Sequence, residues 1–187
     1  EKALTALPAL IDTAIAAHAA AGKPLLAVCG ALQWLGQGID DPLGLEGGAP
    51  SRADGLGLLP LHTQFQAVKQ LQRARHALGA LTGPWAPLAG LVVDGYEIHL
   101  GSSRATGALP AAVPAQPGLG WQHGPVLALY LHGLFENPAV LRALFASDAF
   151  WAPQSVGAKF KTPYHFALSA MRAMASRVSP EIREASA

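Results

Sequence analysis

The chain has 187 residues, 51% of them hydrophobic and 13% charged, which suffices for one ordinary apolar core and excludes a disordered chain. A net charge of +1 leaves neither the basic footprint of a nucleic-acid binder nor an acidic tail for a basic partner. Its single cysteine excludes an internal disulfide framework and a cysteine-rich zinc site.

In chain order, Leu4, Leu7, Ile11 and Ile15 recur at helical spacing, and Gly22 suits the C-cap. The longest apolar-looking stretch, Ala14 to Gly22, is Ala-rich and holds His18, well short of the about 20 apolar residues a membrane span needs. No basic segment precedes a leucine-rich one, so no secretory signal is read; a cytoplasmic protein with no membrane partner is expected. Pro24 to Val28 reads as a strand buried on both faces, running into Cys29-Gly30, a tight turn that opens a short helix. Helix, strand, turn, helix is the grammar of an α/β sheet.

Asp40 to Leu59, rich in Gly, Pro and Asp, reads as a long surface connection, and Leu61 to Arg75 as one or two strands. Leu78 to Ala89 is expected to turn, Leu91 to Leu100 to form strand, turn, strand, and Gly101 to Gly120 to be a loop. Val126 to Leu131 is expected to be one buried strand ending at His132-Gly133. A helix with Pro near its first turn spans Pro138 to Phe145, and a last amphipathic helix is expected over Pro163 to Arg177. No internal repeat and no second domain are read.

Cys29 stands where a strand stops and a helix begins, at the carboxyl edge where open α/β sheets place their sites. The helix N-terminus favours a thiolate, the attacking species, and Gly30 lets a substrate approach a backbone N–H. The bland alternative is a small buried hydrophobe. His132 ends another buried strand, and a Cys–His pair supports acyl transfer, unless the histidine merely caps a strand end. Glu97 and His99 share one face of a strand, where they would orient substrate, pair with each other or support a loop. Glu136, four residues after His132, would orient the imidazole or cap the next helix. The other histidines, His18, His62, His76, His123 and His165, show no metal-ligand spacing and are read as surface or loop residues. No Gly-rich phosphate loop with its lysine is present, so no nucleotide site is expected in this chain.

Five blocks then carry a resemblance. They are Gly22 to Gly36, Asp41-Pro42-Leu43-Gly44-Leu45-Glu46-Gly47, Gly55 to Leu61 with Thr63 and Lys69, Asp94-Gly95-Tyr96-Glu97-Ile98-His99-Leu100-Gly101, and Tyr130-Leu131-His132-Gly133-Leu134-Phe135-Glu136-Asn137. In order, over most of residues 4 to 145, they resemble the C-terminal glutamine amidotransferase domains of cobyric acid synthases. That resemblance implies a flavodoxin-like class I amidotransferase sheet with flanking helices. It implies Cys29 as nucleophile, His132 as general base and acid, and Gln33 as a glutamine-contacting side chain, with Gly30, Glu97 and His99 at the substrate site. Glutamine would supply ammonia to a separate synthetase domain that uses ATP and Mg2+ to amidate a corrinoid, adenosylcobyrinic acid a,c-diamide. No cofactor or metal is expected in this chain itself.

Departures from the family pattern are Ala31 where a second glycine is usual, Ser102-Ser103 before Arg104 where Arg-Thr is common, and Leu134 where other class I members carry Glu. Residues 1 to 22 resemble the helix just before the nucleophile strand, so residues 1–187 are read as one glutaminase domain truncated at its N-terminus. Its first strands and the synthetase domain would then lie upstream. Alternatives are the glutaminase partner of a ligase that amidates peptidoglycan lipid precursors, a catalytically silent docking domain, or a cysteine hydrolase of similar fold.

Overall fold

The computed structural model describes residues 2–46 and 48–145. By internal contacts the chain divides into units Glu1–Leu144 and Phe145–Ala187; the first unit is the subject below. The helix expected over Pro163 to Arg177 lies outside the described residues.

Helix α1 spans Lys2–Ala20 and lays Ile15 and Ala19 against the core. It stops at Gly22, whose φ of 71° lets the Lys23 N–H return to the His18 carbonyl at 3.2 Å, satisfying a carbonyl the helix leaves open. Strand β1, Leu25–Val28, follows, and Cys29 joins it to helix α2, Gly30–Leu35. The strand and the elbow form where the sequence places them, but the strand is not buried on both faces: only Ala27 is fully buried, and Leu25, Leu26 and Val28 are half-buried.

Two strands lie in and beside the stretch expected to be a surface connection: β2, Gly38–Asp41, and β3, Ser51–Asp54, an antiparallel pair. Strand β4, Leu61–Ala77, and strand β5, Val92–Ala105, form a long antiparallel ribbon. A 3-10 turn over Gly83–Leu88 joins them, burying Trp85 and Leu88. The expected turn inside Leu91 to Leu100 does not form, and Gly101 to Ala105 continue β5 instead of looping. Asp-Gly is a hairpin signal, but Gly95 serves another end. A Cβ there would overlap the carbonyl oxygen of His132, so glycine lets a neighbouring strand approach.

That neighbour corrects a second expectation. Val126 to Leu131 is not one strand: β7, Val126–Leu129, and β8, Leu131–His132, belong to different sheets. Strands β1 and β7 pair in parallel, and β6, Gly120–His123, adds an antiparallel edge in the order β1-β7-β6. The second sheet runs β3-β2-β4-β5-β8, parallel only between β2 and β4. The class is thus α/β with flanking helices, as expected. Its parallel, flavodoxin-like part is the β1–β7 pair, and the rest is largely antiparallel.

Strand β7 is buried throughout, consistent with its unbroken apolar sequence. Leu127 and Leu129, with Leu32 from α2, Leu61 from β4, Val93 from β5 and Leu131 from β8, join one core that serves both sheets. Helix α3, Pro138–Phe145, closes the unit and buries Val140 and Leu141.

Candidate active site

Cys29 is the one non-glycine among the described residues with positive φ, at 55°. Side chains avoid that region at a cost of order 1–3 kcal/mol, so the surrounding fold must hold it there. Two bonds fix the place: its N–H donates to the Leu129 carbonyl at 2.9 Å, and its thiol donates to the Ile98 carbonyl at 3.3 Å. The half-buried sulfur therefore sits at the seam between β1–β7 and β5. Beyond it, an added Cβ on Gly30 would meet nothing within 4 Å, so space lies open over the start of α2. Ala31 is exposed, so its methyl group displaces nothing in the core. The first N–H groups of α2 have no partner within the helix.

His132 lies in β8, directly opposite Tyr96 of β5, and the two rings stack with centroids 5.4 Å apart and planes 6° from parallel. Its Nε2 is buried and has no hydrogen-bond partner, alone in this among the described side chains. Buried polar atoms are usually satisfied, which sets this nitrogen apart from the other buried side-chain atoms described. Cys29 and His132 thus do not end equivalent strands of one parallel sheet, as the sequence suggested. They follow strands of different sheets because Tyr130 carries the chain from one sheet to the other. Both nonetheless bear on one short piece of β5, the sulfur at Ile98 and the imidazole at Tyr96.

Glu97 and His99 do share a face, opposite to that of Tyr96 and His132, with 3.8 Å between carboxylate and imidazole. Glu97 is 2% exposed and receives Gln72 Nε2 at 2.9 Å and Gln116 Nε2 at 3.3 Å, with His76 at 3.9 Å. The ring of His99 stacks on Tyr130 at 4.0 Å, and its Nδ1 bonds the Gly101 carbonyl at 2.7 Å. His62 and His76, read as surface or loop residues, instead lie on β4 and are largely buried. No alternation marks His62, which lies between buried Leu61 and Thr63, whereas Ala74 and His76 are half-buried between exposed Arg73, Arg75 and Ala77.

Gln33, also buried, donates to the Tyr130 hydroxyl at 3.2 Å. Glu136 is exposed, in the 3-10 turn Leu134–Glu136. It borders an open groove of about 950 Å³ with Tyr96, Ile98, Arg73 and Arg75. The sequence reading missed this groove, because it exists only once β4, β5 and the 3-10 turn are side by side.

A strained cysteine between β1 and α2, whose thiol reaches the Ile98 carbonyl of β5, and an unsatisfied histidine on β8, which pairs with the same strand, make up the candidate site. Comparison with known families places it more closely: residues 2–140 match the CobB/CobQ-like glutamine amidotransferase domain, and the chain belongs to that family. The cobyric acid synthase of Acidovorax sp. strain JS42 is 52% identical over 145 residues, covering 74% of this chain and 29% of the relative. Those of Leptothrix cholodnii and Polaromonas naphthalenivorans are 51% and 48% identical, covering 73% of this chain and 28% and 29% of theirs. The chain therefore spans less than a third of these relatives' length. A further family, a protein of unknown function (DUF1800), matches residues 126–186 and overlaps the first match on β7, β8 and the start of α3.

Proposed function

We propose that this chain hydrolyses glutamine at Cys29 and passes the ammonia to an ATP-dependent synthetase that amidates the carboxylates of adenosylcobyrinic acid a,c-diamide. The observation that carries the reading is the backbone of Cys29, held at a φ of 55° between β1 and α2 in a chain of this family. Such strain persists only where the surrounding structure enforces it, and it clusters at active sites. The name shared by the relatives, cobyric acid synthase, supports the corrinoid over a peptidoglycan precursor as the final acceptor.

In this reading the Cys29 thiolate attacks the side-chain amide carbon of glutamine. The tetrahedral intermediate, its oxyanion taking the Gly30 N–H, collapses to a glutamyl thioester as His132 protonates the leaving nitrogen. Ammonia departs; water, deprotonated by His132, then attacks the thioester and releases glutamate. Glu97 and His99 shape the substrate's surroundings, Gln33, buried against Tyr130, does so through the elbow helix without touching the substrate, and Glu136 lies within the same reach of sequence as an orienting group. Among the described residues no set of three or more His, Cys, Asp or Glu side chains is placed to hold a metal ion. In this reading ATP and Mg2+ serve the synthetase side. A cytoplasmic setting accords with a free thiol, and no described helix is long and apolar enough to cross a membrane.

The test is glutamate formation from glutamine by the chain together with a cobyric acid synthase synthetase domain. Cys29→Ala is expected to lower the rate by at least about 1000-fold, to background. Turnover retained in that variant would sink the assignment.

A further inference from the structure

Resting on Cys29 as the nucleophile, we propose that Tyr130 is a positioning residue for it: its hydroxyl ties the elbow helix to the second sheet and so keeps the sulfur on β5. Four side chains carry the tie. Gln33, on α2, donates to the Tyr130 hydroxyl at 3.2 Å; that hydroxyl and Ser103 Oγ, on β5, are 2.6 Å apart; Ser103 Oγ and Thr63 Oγ1, on β4, are also 2.6 Å apart. Gln33 donates into the run, and in each of the two hydroxyl pairs either oxygen can be the donor.

Its members are all buried, Tyr130 and Thr63 at 0% exposure, where a broken bond strands its partner rather than returning it to water. The burial also pushes the Tyr130 phenol up from its ordinary value, which keeps it a neutral donor.

The placement makes this more than core packing. Gln33 is linked to the nucleophile through the elbow itself, its N–H donating to the Cys29 carbonyl at 3.2 Å. Tyr130 directly follows Leu129, which receives the Cys29 N–H, and Ser103 is on the strand whose Ile98 carbonyl receives the thiol. The strained Cys29 is thus bracketed: its backbone is pinned to β7, and the helix behind it is pinned to β4 and β5. Releasing the hydroxyl leaves the ring's stack on His99 and its volume in place, but frees α2 to relax the elbow.

The experiment compares wild type, Tyr130→Phe, Ser103→Ala and the double variant, each as the full chain with a cobyric acid synthase synthetase domain. Cys29→Ala serves as the blank, and circular dichroism reports on the fold. The expected result is a fall in glutaminase kcat of about ten-fold for Tyr130→Phe with KM within two-fold, because the substrate's own contacts are untouched. Ser103→Ala should fall in the same direction, and the double variant no further than the worse single one, because both cut one tie. Should Tyr130→Phe fail to fold, Ser103→Ala decides by the same KM-against-kcat split. A folded variant with kcat within two-fold of wild type, a rise in KM instead, or additive losses would overturn the proposal while leaving Cys29 as nucleophile. Wild-type turnover equal to the Cys29→Ala blank overturns the reading of the site, and the positioning role with it.

Discussion

Gly95 shows how one residue type can mislead and then explain. Its place after Asp94 reads as a hairpin turn, yet the chain runs straight through it in β5. What needs glycine is the approach of the His132 carbonyl and the Leu131 side chain, both within the space a Cβ would take. Gly95→Ala should therefore push β8 off β5, costing about 1–3 kcal/mol by overpacking, and displace His132 from its stack on Tyr96. Urea denaturation would register the first effect and glutamine turnover the second; a variant as stable and as active as wild type would refute this account. Cys29 was legible for the opposite reason. An apolar strand, a nucleophile and a glycine in succession specify an elbow locally. The place of His132 was less so, since it depends on how Tyr130 carries the chain from β7 into β8, which no local pattern encodes.

At the scale of elements, α1, β1, α2 and α3 follow from periodicity and caps, while β2 and β3 did not stand out. Both have only four residues, and β3 is exposed along its whole length, so neither has an apolar pattern to find. What orders the connection between them is Asp41. Its carboxylate receives the N–H groups of Leu45 at 2.8 Å and Glu46 at 2.9 Å. These bonds, that from Glu46 foremost, hold the Asp41 carboxyl below its ordinary value. A depressed carboxyl stabilises the fold fully above its unfolded value of about 3.9 and loses that contribution as pH falls through the folded one. Wild type should thus exceed Asp41→Asn in stability most clearly above about pH 4, with the gap closing in acid. Denaturant titrations between neutral pH and pH 2 would measure it, and a gap independent of pH would exclude the mechanism. On the far side of β5, Asn137 fastens the start of α3: its side-chain amide exchanges bonds with the Asp94 backbone, both at 2.8 Å.

For the molecule as a whole, the α/β class was readable from the alternation of helix and strand, but the split into two sheets was not. The apolar run from Val126 to Leu131 has no glycine or proline to announce a change of sheet. The change instead follows from where Tyr130 finds its polar partners. Because seven residues, Val126 to His132, serve both sheets over one core, the sheets should open together. Native-state hydrogen exchange is expected to give slow amides in β7 and in the Val93 to Glu97 part of β5 a common free energy of opening. Two distinct values would mean that the sheets unfold separately.

The ribbon carries one more lesson. Between the pairs Phe65–Gly101 and Gln70–His99, four residues of β4 face a single residue of β5. Slack of this sort uncouples the alignment on either side of it. Related sequences can therefore gain or lose residues at Gln66 to Lys69 and keep both the inner rungs at Thr63 and Ser103 and the outer ones at Gln72 and Glu97. Evolution has there a place to vary length without re-registering the strand that bears the site.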